Sequence, residues 1–150
     1  MNKRNIILIG MPGAGKSSVG VILAKVLGYE FIDTDLVIQH REKRLLREII
    51  ADEGNEGFLA IENEVNATLE ANKSVIAPGG SAIYGKEAME HFKEIGTIVY
   101  LKLSYEDLAK RLGNLKGRGV VLKEGQTLKD LYDERSKLYE QYAEITVDES

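Results

Sequence analysis

The run NIILIGMPGAGKSSVG (residues 5–20) constrains this chain more than any other stretch. Ile6 to Ile9 is an unbroken apolar run, the pattern of a strand covered on both faces. Gly10, Gly15, Lys16 and Ser17 then fit G-x-x-x-x-G-K-[ST]. Glycines let the backbone close around an anion so that several N–H groups point inward. A helix opening at Gly15 adds the positive end of its dipole. Gly13, Ala14, Gly15, Lys16, Ser17 and Ser18 are therefore expected to wrap the phosphates of a nucleotide such as ATP. Lys16 would reach the outer phosphates and the Ser17 hydroxyl would ligate Mg2+.

The rest of the chain alternates short apolar runs with helical periodicity, the mark of an α/β fold around a mostly parallel sheet. After the loop, Val19, Ile22, Leu23, Val26 and Leu27 repeat with helical spacing until Gly28. Strands are predicted at Tyr29 to Asp33, Val75 to Ala77, Thr97 to Leu103 and Glu144 to Asp148. Helices are predicted at Leu36 to Asp52, Gly57 to Ala71 and Lys86 to Glu94. Two more are predicted from N-caps at Ser104 and Thr127, ending near Leu112 and Tyr142. Leu131, Leu138 and Tyr142 would mark the buried stripe of the last. Residues 113–125, GNLKGRGVVLKEG, hold four glycines and three cations without a helical period. Such a segment is expected to form a small lid.

At 150 residues the chain has the length of one domain, expected to span 1–150. It has no cysteine, which excludes disulfides and thiolate metal sites. A net charge of −4 argues against a nucleic-acid or anionic-membrane surface, and no apolar run approaches the length of a bilayer span. A cytoplasmic monomer is the expectation.

Three further constellations fit a phosphate site. FIDTD (31–35) ends the second strand with Asp33 and Asp35, two apart and so on one side of an extended chain. Beside a phosphate loop, such a pair suits Mg2+ and an acceptor hydroxyl; alternatively, Asp35 caps the next helix. PGGS (78–81) follows the third strand, where loops at the carboxyl ends of parallel strands line a crevice and Gly79 and Gly80 permit close approach. Arg111, Arg118 and Arg135 are the candidate counter-charges. Arg118 falls in the lid, and Arg135 lies on an apolar helix stripe, where it needs an anionic partner. His40 and His91 have no ligand spacing and are read as solvated or packing residues.

Taken in order, GMPGAGKSSVG, FIDTD, GFLAIENEV, APGGSAI, VYLKLS and RSKLYEQYAEITVD resemble the shikimate kinase family, within the nucleoside monophosphate kinase-like P-loop fold, over residues 4–148. The resemblance implies a three-layer fold, a five-stranded parallel sheet flanked by helices, with substrate-binding helices over about 36–71. It implies transfer of the ATP γ-phosphate to a hydroxyl of shikimate. Lys16 would hold phosphates, and Ser17 with Asp33 would position Mg2+. Asp35 would bind and deprotonate the acceptor hydroxyl, and Gly79 and Gly80 would contact the substrate. Arg111 would lie against adenine, Arg118 would be the lid arginine and catalytic, and Arg135 would pair with the substrate carboxylate.

The chain also departs from the family pattern. Where FR-x-x-E is usual, it has Phe58, Leu59, Ala60, Ile61 and Glu62. Loss of that charged contact costs about 1.5–3 kcal/mol. Ser81 replaces a third glycine, Gly119 follows Arg118 where the lid usually has proline, and Lys137 replaces another proline. The family's adenine-contacting loop and closing helix follow the fifth strand, whereas this sequence ends at Ser150, so weaker adenine contact is expected. Two alternatives follow: a kinase of another hydroxylated metabolite, and a nucleotide-binding module with little transfer.

Overall fold

The computed structural model describes residues 4–111 and 125–149. Five strands form one parallel sheet: β1 (Asn5–Ile9), β2 (Glu30–Asp33), β3 (Ser74–Ala77), β4 (Gly96–Lys102) and β5 (Ile145–Asp148). Their order is β2-β3-β1-β4-β5, with Ile7 of β1 level with Ile76 and Ile98 on its two sides. Helices α1 (Lys16–Leu27), α2 (Thr34–Glu42), α3 (Leu46–Ala67), α4 (Lys86–Ile95), α5 (Tyr105–Arg111) and α6 (Leu128–Tyr142) make the crossovers, with a short 3-10 turn at Ala82–Tyr84.

Alternation along β1 divides the core. Ile7 and Ile9 join Phe92, Tyr100, Leu131 and Tyr139 on one face, while Leu8 joins Ala24, Val75 and Leu101 on the other. This is the two-sided burial that the apolar run predicted. At the amino ends of the strands, buried Asn5 donates to the carbonyls of Ala71 (3.0 Å) and Ile95 (2.9 Å) and accepts from Ser74 N (3.0 Å). One side chain thus ties together the segments entering β3 and β4.

Several boundaries differ from expectation. The predicted helix 36–52 is two elements, because Lys43 takes a left-handed conformation (φ 56°) and ends α2. Gln39 and Glu48 then accept from the amides of Leu46 (3.0 Å) and Leu45 (2.9 Å), which starts α3 anew. Within α3, Gly54 (φ 75°) kinks the chain where the sequence had suggested a gap before Gly57, and the helix closes at Ala67 rather than Ala71. Helix α1 seats on Gly20 and Ala24, with Val19 and Leu23 half-buried, while Ile22 (65% exposed) and Val26 (76%) face outward. Close approach to the sheet selects the small residues; a Cβ at Gly20 would stand 2.5 Å from the Phe31 ring. Along α6 the buried positions are Leu131, Arg135 and Tyr139, with Leu138 and Tyr142 half-buried. The capping box at Thr127 and Asp130 forms as predicted, and Ser104 accepts from Asp107 N. The expected lid lies almost wholly outside the described residues, and no described helix is long and apolar enough to cross a membrane.

Gly96 abuts β1 so closely that a Cβ there would stand 2.4 Å from the Asn5 carbonyl oxygen. Gly96→Ala is expected to lower stability by about 1–3 kcal/mol, and Val26→Ser by under about 0.5 kcal/mol, in urea titrations with unchanged m-values.

Candidate active site

The carboxyl ends of β1, β2 and β3 open onto a cleft of about 560 Å³. Its walls include Gly13, Gly15, Lys16, Ser17 and Ser18 from the first loop, Asp33 and Asp35, Phe58 and Glu62 of α3, Gly79 to Ser81, and Arg135 of α6. Most of the predicted site residues thus meet at one place. Ala14 does not line the cleft: its amide donates to the Met11 carbonyl (3.0 Å) and its side chain is buried in the core. Arg111 reaches the loop from outside, donating to the Gly13 carbonyl (3.0 Å). Arg118 lies outside the described residues. His91 contacts the Leu69 carbonyl (2.6 Å) and His40 is exposed, both away from the cleft.

The first loop is built for an anion. Gly15 takes φ 79° at the N-cap of α1, a left-handed turn that glycine adopts without strain. It supplies no capping side chain, and the first turn carries no acid. The early amides of α1 therefore remain donors aligned with its positive end. Lys16 folds over the loop, donating to the carbonyls of Gly10 (2.9 Å) and Met11 (3.0 Å). Burial lowers its pKa to about 8, against the opposing pull of the Asp35 carboxylate.

Asp33, not Asp35, caps α2: its Oδ1 accepts from Asp35 N at 2.9 Å. That bond fixes the pair, with Asp33 and Ser17 both on the cleft wall and Asp35 turned toward Gly79. Burial, reinforced by the Asp33 charge, pushes Asp35 up to about 6. Among the described residues no group of three His, Cys, Asp or Glu side chains could hold a metal. A single hydroxyl and a single carboxylate nevertheless suit Mg2+, which keeps waters and takes most remaining ligands from phosphates.

The far wall is dry and charged. Arg135 is 1% exposed, and its Nε and Nη2 have no hydrogen-bond partner among the described residues. The anionic partner expected for it is not supplied by the described protein; instead its guanidinium lies 5.5 Å from the Tyr84 ring centre. Glu62 is equally buried, accepting from Ser81 Oγ at 2.7 Å on Oε1 while Oε2 is unpartnered. Burial drives Glu62 up to about 7, although the Ser81 hydrogen bond opposes it. Gly79 separates the two acids: a Cβ there would stand 2.9 Å from Asp35 Oδ1 and 3.0 Å from Glu62 Oε2. Tyr139, one turn beyond Arg135, donates to the Gly80 carbonyl (2.7 Å) and holds this loop. Leu59 packs with Ile38, Ile49 and Phe58 in the apolar cluster of α2 and α3, so the cleft wall there is formed by Phe58 and Glu62. Sequence reasoning missed the parts of Tyr139 and of the Glu62–Ser81 pair. The spacing of four between Arg135 and Tyr139 was the available signal for the first.

A parallel sheet in this strand order, with a phosphate-type loop between β1 and α1 and helices on both faces, is a P-loop kinase fold. Residues 12–150 match the family model for shikimate kinase. Shikimate kinase 2 of Yersinia enterocolitica is 34% identical over 154 residues, covering 97% of this chain and 86% of that protein. Among solved structures, shikimate kinase from Acinetobacter baumannii in complex with shikimate is 35% identical with a TM-score of 0.85, covering 97% of this chain and 83% of that one. Shikimate kinase from Aquifex aeolicus follows with 31% identity, a TM-score of 0.76 and coverage of 96% and 85%. A sugar kinase from Janibacter, at 16% identity and TM-score 0.57, shares the fold. The chain belongs to the shikimate kinase family.

The raised pKa of Glu62 fixes the sign of a stability effect. The native state holds its proton more tightly than the unfolded chain, so the contribution is complete below pH 4.5 and is lost as pH rises through about 7. Glu62→Gln removes that loss. Its stability relative to the parent is expected to increase by about 2 kcal/mol between pH 5 and pH 8 in denaturant titrations.

Proposed function

We propose that this chain is an ATP-dependent kinase that transfers the γ-phosphate of ATP to a hydroxyl of shikimate. The observation that carries the acceptor half is the buried, open guanidinium of Arg135 in the cleft that Asp35 also lines. A dry cation with free N–H groups suits a planar carboxylate, which shikimate carries. The Acinetobacter relative, whose structure contains shikimate, supports the same acceptor.

The loop amides of Gly13 and of Gly15 to Ser18, together with the Lys16 ammonium, would cradle the phosphates, and Arg111 would lie beside the base. Ser17 and Asp33 would hold Mg2+, which when bound neutralises charge on the phosphates. Gly79 and Gly80 would let the acceptor ring approach, and Arg135 would fix its carboxylate. Asp35 would orient the acceptor hydroxyl and take its proton. The hydroxyl oxygen then forms a bond to the γ-phosphorus as the bridging oxygen–phosphorus bond to ADP breaks, and the proton passes from Asp35 to solvent. Lys16 and Arg118 would stabilise the charge on the moving phosphoryl group. Burial lowers Lys16 despite the nearby carboxylates, and bound phosphates would add negative charge that favours its protonated form.

A second acceptor is supported by one observation. Leu59 stands where the family pattern has a second arginine, so a smaller share of the cleft's affinity comes from a carboxylate. A panel of small polyols and hydroxy acids, assayed for ADP release with ATP and Mg2+, decides between them. Shikimate is expected to give the highest kcat/KM; a neutral polyol that outperforms it would overturn the assignment. Lys16→Ala is expected to reduce turnover by about 10²-fold or more, and Asp35→Asn by about 10²–10⁴-fold. The parent kcat/KM should fall as pH drops through about 6, where the Asp35 carboxylate takes up its proton.

A further inference from the structure

Glu62 and Arg135 face the same cleft, each 1% exposed, and among the described residues no ion pair joins them. Once Glu62 is ionised, this is an unstable arrangement on electrostatic grounds. Opposite charges in a poorly hydrated site attract strongly, and leaving both unpaired costs more than joining them. If they closed on one another, the Arg135 fork would be filled by the protein's own carboxylate. Something must hold them apart.

The 3-10 turn at Ala82–Tyr84 carries the means at both of its ends. Ser81, its N-cap, is 6% exposed and donates to Glu62 Oε1 at 2.7 Å. Tyr84 accepts the Arg135 guanidinium over its ring, and its own amide donates to the Ser81 carbonyl (3.1 Å). The turn is therefore a spacer, with a hydroxyl gripping the acid and an aromatic face receiving the cation. The other charged and titratable groups around the pair are Asp35 from α2, Lys16 from α1 and Tyr139 from α6. Asp35 repels the Glu62 carboxylate and Lys16 repels Arg135, so neither supplies the missing partner. No other hydrogen-bond donor reaches the Glu62 carboxylate among the described residues.

We propose that Ser81 is a positioning residue that keeps Glu62 from pairing with Arg135 and so holds the guanidinium open for an anionic group on the acceptor. A glycine at this position would leave the Glu62 carboxyl with no donor but Arg135. The role follows from two chain-specific residues together. Leu59 offers Glu62 no cation on its own helix, and Ser81 supplies a neutral donor instead.

The test has two halves, and only the kinetic half rests on the proposed function. Arg135 side-chain N–H resonances, assigned by their loss in Arg135→Lys, would be recorded at pH 8 without substrate in the parent, Ser81→Ala and Ser81→Ala/Glu62→Gln proteins. Ser81→Ala is expected to shift the Arg135 Nε–H signal, and adding Glu62→Gln is expected to return it toward the parent position, since glutamine cannot form the ion pair. In parallel, KM for shikimate should rise about tenfold in Ser81→Ala, with the loss in KM rather than kcat, and fall back in the double variant. Ser81→Thr, which keeps the hydroxyl, should resemble the parent in both readouts. Ser81→Gly provides a second hydroxyl-free protein should the alanine variant fail to fold. An Arg135 signal unmoved by loss of the hydroxyl, or moved but not restored by Glu62→Gln, overturns the proposal. A parent enzyme that does not turn over shikimate overturns the proposed function, and the spectra still decide the role of Ser81.

Discussion

Arg135 is a cation in a place where water scarcely reaches, with two of its nitrogens lacking a partner among the described residues. Isolated charges in protein interiors cost several kcal/mol even after relaxation. The rest of the molecule is arranged around sustaining that cost. Helix α6, which bears the arginine, is fixed on either side by Leu131 and Tyr139 in the main core, and Tyr139 stacks on Tyr100 of β4 with ring centres 5.1 Å apart. The same Tyr139 hydroxyl restrains Gly80, so the cation and the loop opposite it are set by one helix. Burial also governs the other ionisable groups of the cleft. It lowers Lys16 and raises Asp35 and Glu62, in each case against the charged form. Phosphates beside Lys16 and a carboxylate beside Arg135 would offset the two buried cations, while the same negative charge would push Asp35 and Glu62 further toward their protonated forms.

The sheet and the donor half of the cleft were legible in the sequence because their signals are local. A strand followed by a glycine-rich turn and a helix is contained within residues 5–27, and the caps at Ser104 and Thr127 are each settled over four residues. What escaped was set by contacts distant in sequence. The outward face of α1 could not be told from its seat, because Ile22 and Val26 fit the helical period as well as Leu23 does. The deciding contact is Gly20 against Phe31, from the following strand. The break at Lys43 looked like continuous helix, since the side chains that restart α3 act as caps only once the turn exists. Arg135 was marked by the oddity of a cation on an apolar stripe, yet what surrounds it, an aromatic ring and no carboxylate, required the fold.

The acceptor half shows the same limit more sharply. Leu59 is conspicuous as a missing charge, but the sequence alone does not show that it is absorbed into the apolar cluster of α2 and α3. Glu62 and Ser81 lie nineteen positions apart and meet through a 2.7 Å hydrogen bond. Neither residue type announces that bond, and its importance comes from the dryness of the place where it forms.

The Asn5 clamp sits at the end of the sheet opposite the cleft. Its three hydrogen bonds go to main-chain groups, so they are indifferent to the side chains at the reactive end. The contacts that tie the sheet together at this end and the residues that meet a substrate at the other are thereby separated by the length of the strands. Such a division permits a cleft residue such as Ser81 to differ from the family pattern without eroding the architecture that presents it. In this protein, what holds the sheet and what meets the substrate sit at opposite ends of the same strands.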